Sequence, residues 1–187
     1  MRSFRPALVV VDVQNGFIRE TSRHVVPIIS DLVDRWQHAR HDVVFTRYFN
    51  VPGSQYERLF HWTDLQGSPE TDIVPQLAEN AERATAIVDK HIYSLFTRAG
   101  SELVTRHGWT DLYICGIATE SCVLKTAADA FERGDLTPWI LQDASASHAG
   151  RAAHDAGILV AGRFIGPSQI IRVADVTARI LPPQHVT

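Results

Sequence analysis

Short apolar, β-branched runs alternate along this chain with longer stretches in which apolar residues recur every three or four positions. The first run, residues 6–13, is apolar almost throughout, the mark of a strand buried on both faces. Val25, Ile28, Ile29, Leu32, Val33 and Trp36 follow at helical spacing, with Pro27 suited to a first turn. Residues 42–48, 86–90, 111–116 and 136–142 read as further strands, and 159–165 as a weaker sixth. Residues 101–107, 120–133, 147–156 and 168–180 read as helices, the first two stopped by Gly108 and Gly134. Strand–helix alternation predicts an α/β fold. It would be a three-layer α/β/α arrangement with a mostly parallel, roughly six-stranded, doubly wound sheet.

Residues 50–71 break the rhythm. Pro52, Gly53, Gly67, Ser68 and Pro69 interrupt the segment, and Tyr56, Phe60 and Trp62 lie between them. Aromatics argue against disorder, so the segment reads as a loop insertion forming a wall or lid near a site. The 187 residues suit one domain spanning 1–187, large enough for a self-sufficient core.

Composition narrows the classes. At 45% apolar and 21% charged, the chain is neither a disordered protein, a collagen nor a coiled coil. A net charge of −3 suggests no phosphate-backbone partner, so no nucleic acid is expected. Cys115 and Cys122 share one strand-to-helix segment, which suits a reducing compartment better than a disulfide framework. The apolar run after Arg2 and Arg5 ends at Asp12, too early for a signal-peptide core. No stretch approaches the ~20 apolar residues of a membrane span. The expectation is a cytoplasmic protein with no membrane partner.

In an open parallel sheet, ligands bind outside the carboxyl ends of the strands. Three polar residues fall there: Asp12 after strand one, Lys90 at the end of strand three, and Cys122 just past strand four. A helix N-terminus and a nearby lysine would both lower a thiol pKa. A carboxylate beside the thiol could take its proton and later handle water or a leaving group. Backbone N–H groups in the 117–122 turn could hold a developing oxyanion. Together these describe acyl transfer through a thioester, with water as the final acceptor. Taken singly, each residue has an ordinary alternative. Cys122 suits a buried apolar site, Asp12 a turn cap, and Lys90 a solvated strand end.

The motifs carry a resemblance. Val10-Val11-Asp12-Val13-Gln14-Asn15-Gly16-Phe17, Lys90-His91-Ile92-Tyr93-Ser94-Leu95-Phe96 and Cys115-Gly116-Ile117-Ala118-Thr119-Glu120-Ser121-Cys122-Val123 occur in this order. Thr126-Ala127-Ala128-Asp129-Ala130, Asp143-Ala144-Ser145-Ala146-Ser147 and His154 follow. In that order the set resembles the isochorismatase-like cysteine hydrolase superfamily, which includes nicotinamidases and carbamoyl-amide hydrolases. The resemblance implies Cys122 as nucleophile, Asp12 as base and Lys90 as the cation that orients the pair. It also implies a cis peptide between Ile117 and Ala118, with the amides of Ala118 and Cys122 forming the oxyanion hole.

The departures bear on substrate. Nicotinamidases carry an Asp-x-His pair soon after the second strand, plus another His, and bind a metal there. Here that region reads Thr46-Arg47-Tyr48-Phe49-Asn50-Val51-Pro52, and His61 stands alone. One His is a poor basis for a metal site, so no metal and no cofactor are expected. Arg47 could bind a substrate carboxylate or ureido oxygen, or form a surface ion pair. Phe17, Trp62 and Tyr93 are candidate apolar walls. Gln14 and Asn15 could cap a helix or touch substrate, and His148 and His154 should pack or cap within a helix.

The leading expectation is a metal-independent amidohydrolase acting on a small amide or carbamoyl-type substrate and releasing ammonia. The family also leads one to expect a homo-oligomer. The alternatives are an isochorismatase-type vinyl ether hydrolase and a non-catalytic binding protein on the same fold. Isochorismatases often lack the cysteine, which counts against the first of these.

Overall fold

The computed structural model describes residues 3–181. The strands are β1 (Pro6–Val11), β2 (Asp42–Tyr48), β3 (Ala86–Lys90), β4 (Asp111–Ile117), β5 (Thr137–Ala146) and β6 (Ile170–Ile171). The helices are α1 (Val25–His38), α2 (Gln55–Phe60), α3 (Pro75–Glu82), α4 (Arg98–His107), α5 (Leu124–Glu132), α6 (Arg151–Ile165) and α7 (Val173–Arg179). The six strands form one parallel sheet in the order β3-β2-β1-β4-β5-β6.

Strand β1 lies at the centre, and every one of its residues is buried. Leu8 and Val10 pack into the core beneath α1, α3 and α7, whereas Ala7, Val9 and Val11 pack under α4, α5 and α6. Period-two alternation thus feeds two apolar layers, which is why the run contains no polar residue.

Register aligns the strand ends that build the site. Val11 pairs with Thr46 on one side and Gly116 on the other, and Tyr48 pairs with Lys90. At Gly116 the backbone has φ 119°, and a Cβ there would lie 2.1 Å from the Val11 carbonyl oxygen. Only glycine allows β4 to run this close to β1 at the point where the site begins.

Several elements differ from the sequence pattern. Residues 159–165 form the second half of α6, not a strand. Gly157, Ala161 and Ile165 are buried at four-residue spacing while Leu159 faces solvent. The sixth strand is instead the two-residue β6, paired with Ile140 and Leu141 of β5. Strand β5 runs on to Ala146, four residues past the end its apolar run suggests. The 120–133 segment begins as a π-turn, Thr119–Val123, before α5 starts at Leu124. The 147–156 helix starts only at Arg151, which leaves His148 outside it.

The 50–71 segment holds a short helix, α2, capped by Ser54, whose side chain accepts from the Glu57 amide. Helix α3, with Pro75 in its first turn, has too short an apolar stripe for its period to stand out.

Candidate active site

Asp12 follows β1 directly and is fully buried, with φ 50°. Asp tolerates this left-handed conformation better than most residues. Its amide reaches the Thr46 carbonyl and hydroxyl, both at 3.2 Å. The Thr46 hydroxyl in turn donates to Asp12 Oδ1 at 2.6 Å. The other oxygen, Oδ2, accepts from Lys90 Nζ at 2.6 Å.

Lys90 ends β3, and its side chain is as inaccessible as that of Asp12. Its ammonium has three donors and spends all three: on Asp12, on the Ile92 carbonyl at 3.1 Å and on the Tyr93 carbonyl at 3.0 Å. Burial works against the ammonium, but the Asp12 carboxylate outweighs it, and the lysine is held above its ordinary value. A buried pair survives only when its remaining donors and acceptors are satisfied, and here they are.

Cys122 lies in the Thr119–Val123 turn, close enough to Asp12 and Lys90 for both to act on its thiol. The Ile117–Ala118 peptide that leads into this turn is cis. The Ala118 carbonyl accepts from the amides of Ser121 and Val123, one on each side of Cys122. Helix α6 backs the turn. Gly157 is close enough that a Cβ would fall 2.8 Å from the Glu120 backbone. Thr119 Oγ1 meets His154 Nδ1 at 2.8 Å, and the Ser147 hydroxyl donates to Glu120 Oε1 at 2.6 Å.

The thiol pKa corrects one expectation. Burial pushes Cys122 up, the Asp12 carboxylate adds to the rise, and Lys90 opposes it without prevailing. The sulfur therefore rests as a thiol beside a carboxylate, and its proton has a built-in acceptor.

A cavity of about 230 Å³ opens over the sulfur. Phe17, Trp62 and Tyr93 line it, as do Tyr48, Tyr56 and His148. The last three were not singled out as site residues from sequence. Tyr48 ends a strand, Tyr56 is one of the aromatics in the interrupting segment, and His148 sits outside the helix expected to contain it.

Arg47 is not brought to the cavity. Its guanidinium makes a two-pronged pair with Asp89, at 2.7 and 2.8 Å, because β2 and β3 place these residues side by side in register. Gln14 is a backbone staple. It donates to the Tyr48 and Thr71 carbonyls at 2.9 and 2.8 Å and accepts from the Tyr48 amide at 2.7 Å. Asn15 donates to the Pro69 carbonyl at 2.9 Å.

The residues after β2 do not fit a metal centre. Asn50 donates its amide to the Trp62 and Asp64 carbonyls and accepts from Ser54. His61 is exposed at the end of α2. Among the described residues no three His, Cys, Asp or Glu side chains gather as a metal site.

A parallel sheet with helices on both faces and a buried carboxylate, ammonium and thiol at its carboxyl edge defines a three-layer α/β protein of the doubly wound class. Residues 6–166 match the isochorismatase domain family, and the chain belongs to it. Nicotinamidase 3 of Arabidopsis thaliana is 26% identical over 136 residues, covering 68% of this chain and 67% of that protein. The fold is that of an isochorismatase-like hydrolase from Alkaliphilus metalliredigens, with TM-score 0.81, 20% identity and coverage of 93% and 98% of the two chains. N-carbamoylsarcosine amidase from Thermoplasma acidophilum aligns with TM-score 0.73, 21% identity and coverage of 91% and 97%. Among the described residues, no helix is long and apolar enough to cross a membrane.

Proposed function

We propose that this chain is a metal-independent cysteine amidohydrolase that cleaves a small amide or carbamoyl-type substrate and releases ammonia. The observation that carries the reading is the sealed Asp12–Lys90 pair beside the Cys122 thiol at the floor of a cavity. The amidase names among the relatives point the same way, and the donor set after β2 supports independence from metal.

In this reading Cys122 Sγ attacks the amide carbonyl carbon while its proton passes to Asp12. The carbonyl oxygen gains negative charge, which the amides of Ala118 and Cys122 are proposed to receive. The C–N bond then breaks as Asp12 returns the proton to the nitrogen, and ammonia leaves. Water attacks the thioester with Asp12 as base, the C–S bond breaks, and the acid departs as the sulfur regains a proton. Lys90 stays charged throughout and holds the carboxylate in place. A homo-oligomer also belongs to this proposal, supported by exposed Leu159 and Phe164 on α6. So does a reducing compartment, supported by two free thiols.

The test is ammonia release across maleamate, ureidoacrylate, N-carbamoyl amino acids, biuret, nicotinamide and simple carboxamides. Turnover that disappears in Cys122→Ala is expected. Hydrolysis that persists in Cys122→Ala would remove the thioester mechanism, and vinyl ether cleavage that survives the substitution would replace the amidase reading.

A further inference from the structure

A further cavity, of about 440 Å³, lies at the amino ends of β1 and β2, the edge of the sheet opposite the candidate active site. Strand β1 separates the two, and its six residues span roughly 20 Å. Arg5, Arg40, His41, Arg106 and His107 line this groove, against one acidic side chain, Asp42. In a chain whose net charge is −3, that is a local reversal of sign.

Basic residues at helix C-termini have an ordinary use. Helices α1 and α4 both end at this groove, and cations there offset the exposed carbonyls. Arg5 is used in this way, its guanidinium donating to the His107 carbonyl at 3.3 Å. Arg40 and Arg106 make no such bond. Both are exposed, and among the described residues neither guanidinium has a hydrogen bond or an ion pair.

The nearby acids do not answer them. Asp42 Oδ1 accepts from the Thr85 hydroxyl at 2.8 Å and its Oδ2 from Trp109 Nε1 at 2.7 Å, with His107 Nδ1 3.5 Å away. Asp111, at the start of β4, accepts from Thr110 and Trp139, and Asp135 pairs with Arg133. Arg40 also occupies a costly position. It follows α1 with φ 59°, a left-handed conformation that glycine or asparagine usually supplies at a helix end. The turn itself has no use for the side chain.

Uncommitted guanidinium forks suit phosphate oxygens, which they bind two at a time. The groove adds a ring, since Phe4 lines it and is 56% exposed. Its volume falls within the range of small-molecule sites. We propose that this groove is a second, non-catalytic site for a phosphorylated small molecule of at least two negative charges, with the phosphates on Arg40 and Arg106 and the organic part on Phe4. The proposal stands apart from the amidohydrolase reading and uses none of its residues.

The test measures binding of ADP, pyrophosphate and adenosine to the full chain by calorimetry, at low salt and again at about 150 mM salt, where exposed charges are screened. ADP and pyrophosphate are expected to bind, both more weakly at the higher salt, and adenosine is expected not to. Arg40→Gly and Arg106→Ala should each weaken both phosphates by about tenfold or more, the loss of a charge-assisted contact. Arg40→Gly should at the same time keep or raise the urea midpoint, because glycine suits the left-handed turn. Phe4→Ala should weaken ADP by about fivefold or more through lost stacking and leave pyrophosphate unchanged. Cys122→Ala should bind ADP as the wild type does, whether or not the chain hydrolyses amides. No heat from either phosphate, unchanged affinities in Arg40→Gly and Arg106→Ala, or tighter binding of single-stranded RNA than of ADP would overturn the proposal. A lower urea midpoint in Arg40→Gly would return that arginine to the fold and overturn its role here. Pyrophosphate bound as tightly as ADP, with no effect of Phe4→Ala, would overturn the organic ligand in favour of an inorganic one.

Discussion

Thr46 Oγ1 and Asp12 Oδ1 lie 2.6 Å apart, 34 residues separated in sequence and joined by the pairing of β1 with β2. Thr46 thus holds the carboxylate oxygen that Lys90 does not. It is a positioning residue, and its β-branched shape suits its strand.

Thr46→Val keeps that shape and removes the donor. Losing a buried hydrogen bond to a charged group should cost about 1.5–3 kcal/mol in denaturant unfolding. A loosened base should lower kcat by roughly 10–100-fold, with KM nearly unchanged. Thr46→Ser should restore most of kcat. A matching loss in Thr46→Ser would mean that the methyl group, not the hydroxyl, matters.

Lys90→Met leaves Asp12 as an uncompensated buried charge. Such a break typically costs about 3–5 kcal/mol. Adding Asp12→Asn removes the charge, and the double variant should recover much of the lost stability while remaining inactive. Additive losses in urea unfolding would show that the two residues do not act as a pair.

Burial pushes both cysteine thiols up, with Asp143 adding to Cys115 and Asp12 to Cys122. In the unfolded chain thiols lose their protons near pH ~8.5. Above that pH the unfolded state binds fewer protons than the native one, so stability falls. The contribution is complete below the unfolded value and is lost as pH rises toward the raised native values. The slope is at most about 1.4 kcal/mol per pH unit for each thiol. Lys90, also raised, adds to the loss only near and above pH ~10.4. Urea unfolding between pH 8.5 and 9.5 should therefore show a steeper decline in the wild type than in Cys115→Ala. Parallel declines would exclude Cys115 as a source.

Arg47→Ala removes the ion pair with Asp89, whose side chains are 31% and 50% exposed. Screening by solvent limits the stability loss to about 1 kcal/mol or less. The KM for neutral amides should move by less than about twofold. A tenfold rise would return Arg47 to the substrate.

Much of this site was legible because its signals are local. Asp12, Lys90 and Cys122 each end or follow a strand-like run, and a parallel sheet gathers such ends on one edge. The aromatic segment at 50–71 announced a wall. The sixth strand was misplaced because Leu159, Val160 and Ile165 imitate a short apolar run, whereas the buried positions are Gly157, Ala161 and Ile165. Small residues pack a helix closely but carry little weight in an apolar pattern.

By itself the sequence determined the layered α/β class, the strand ends that bear charge and sulfur, and the absence of a histidine pair after β2. Those properties depend on residue type and spacing within a few turns of chain. Tertiary structure alone decided that Arg47 spends its charge on Asp89, that Thr46 secures Asp12, that His148 stacks on Phe17, and that Cys122 is held as a thiol. Each depends on which residues become neighbours across strands or loops and on how much water their contact excludes. Register and desolvation arise only when the chain has closed on itself.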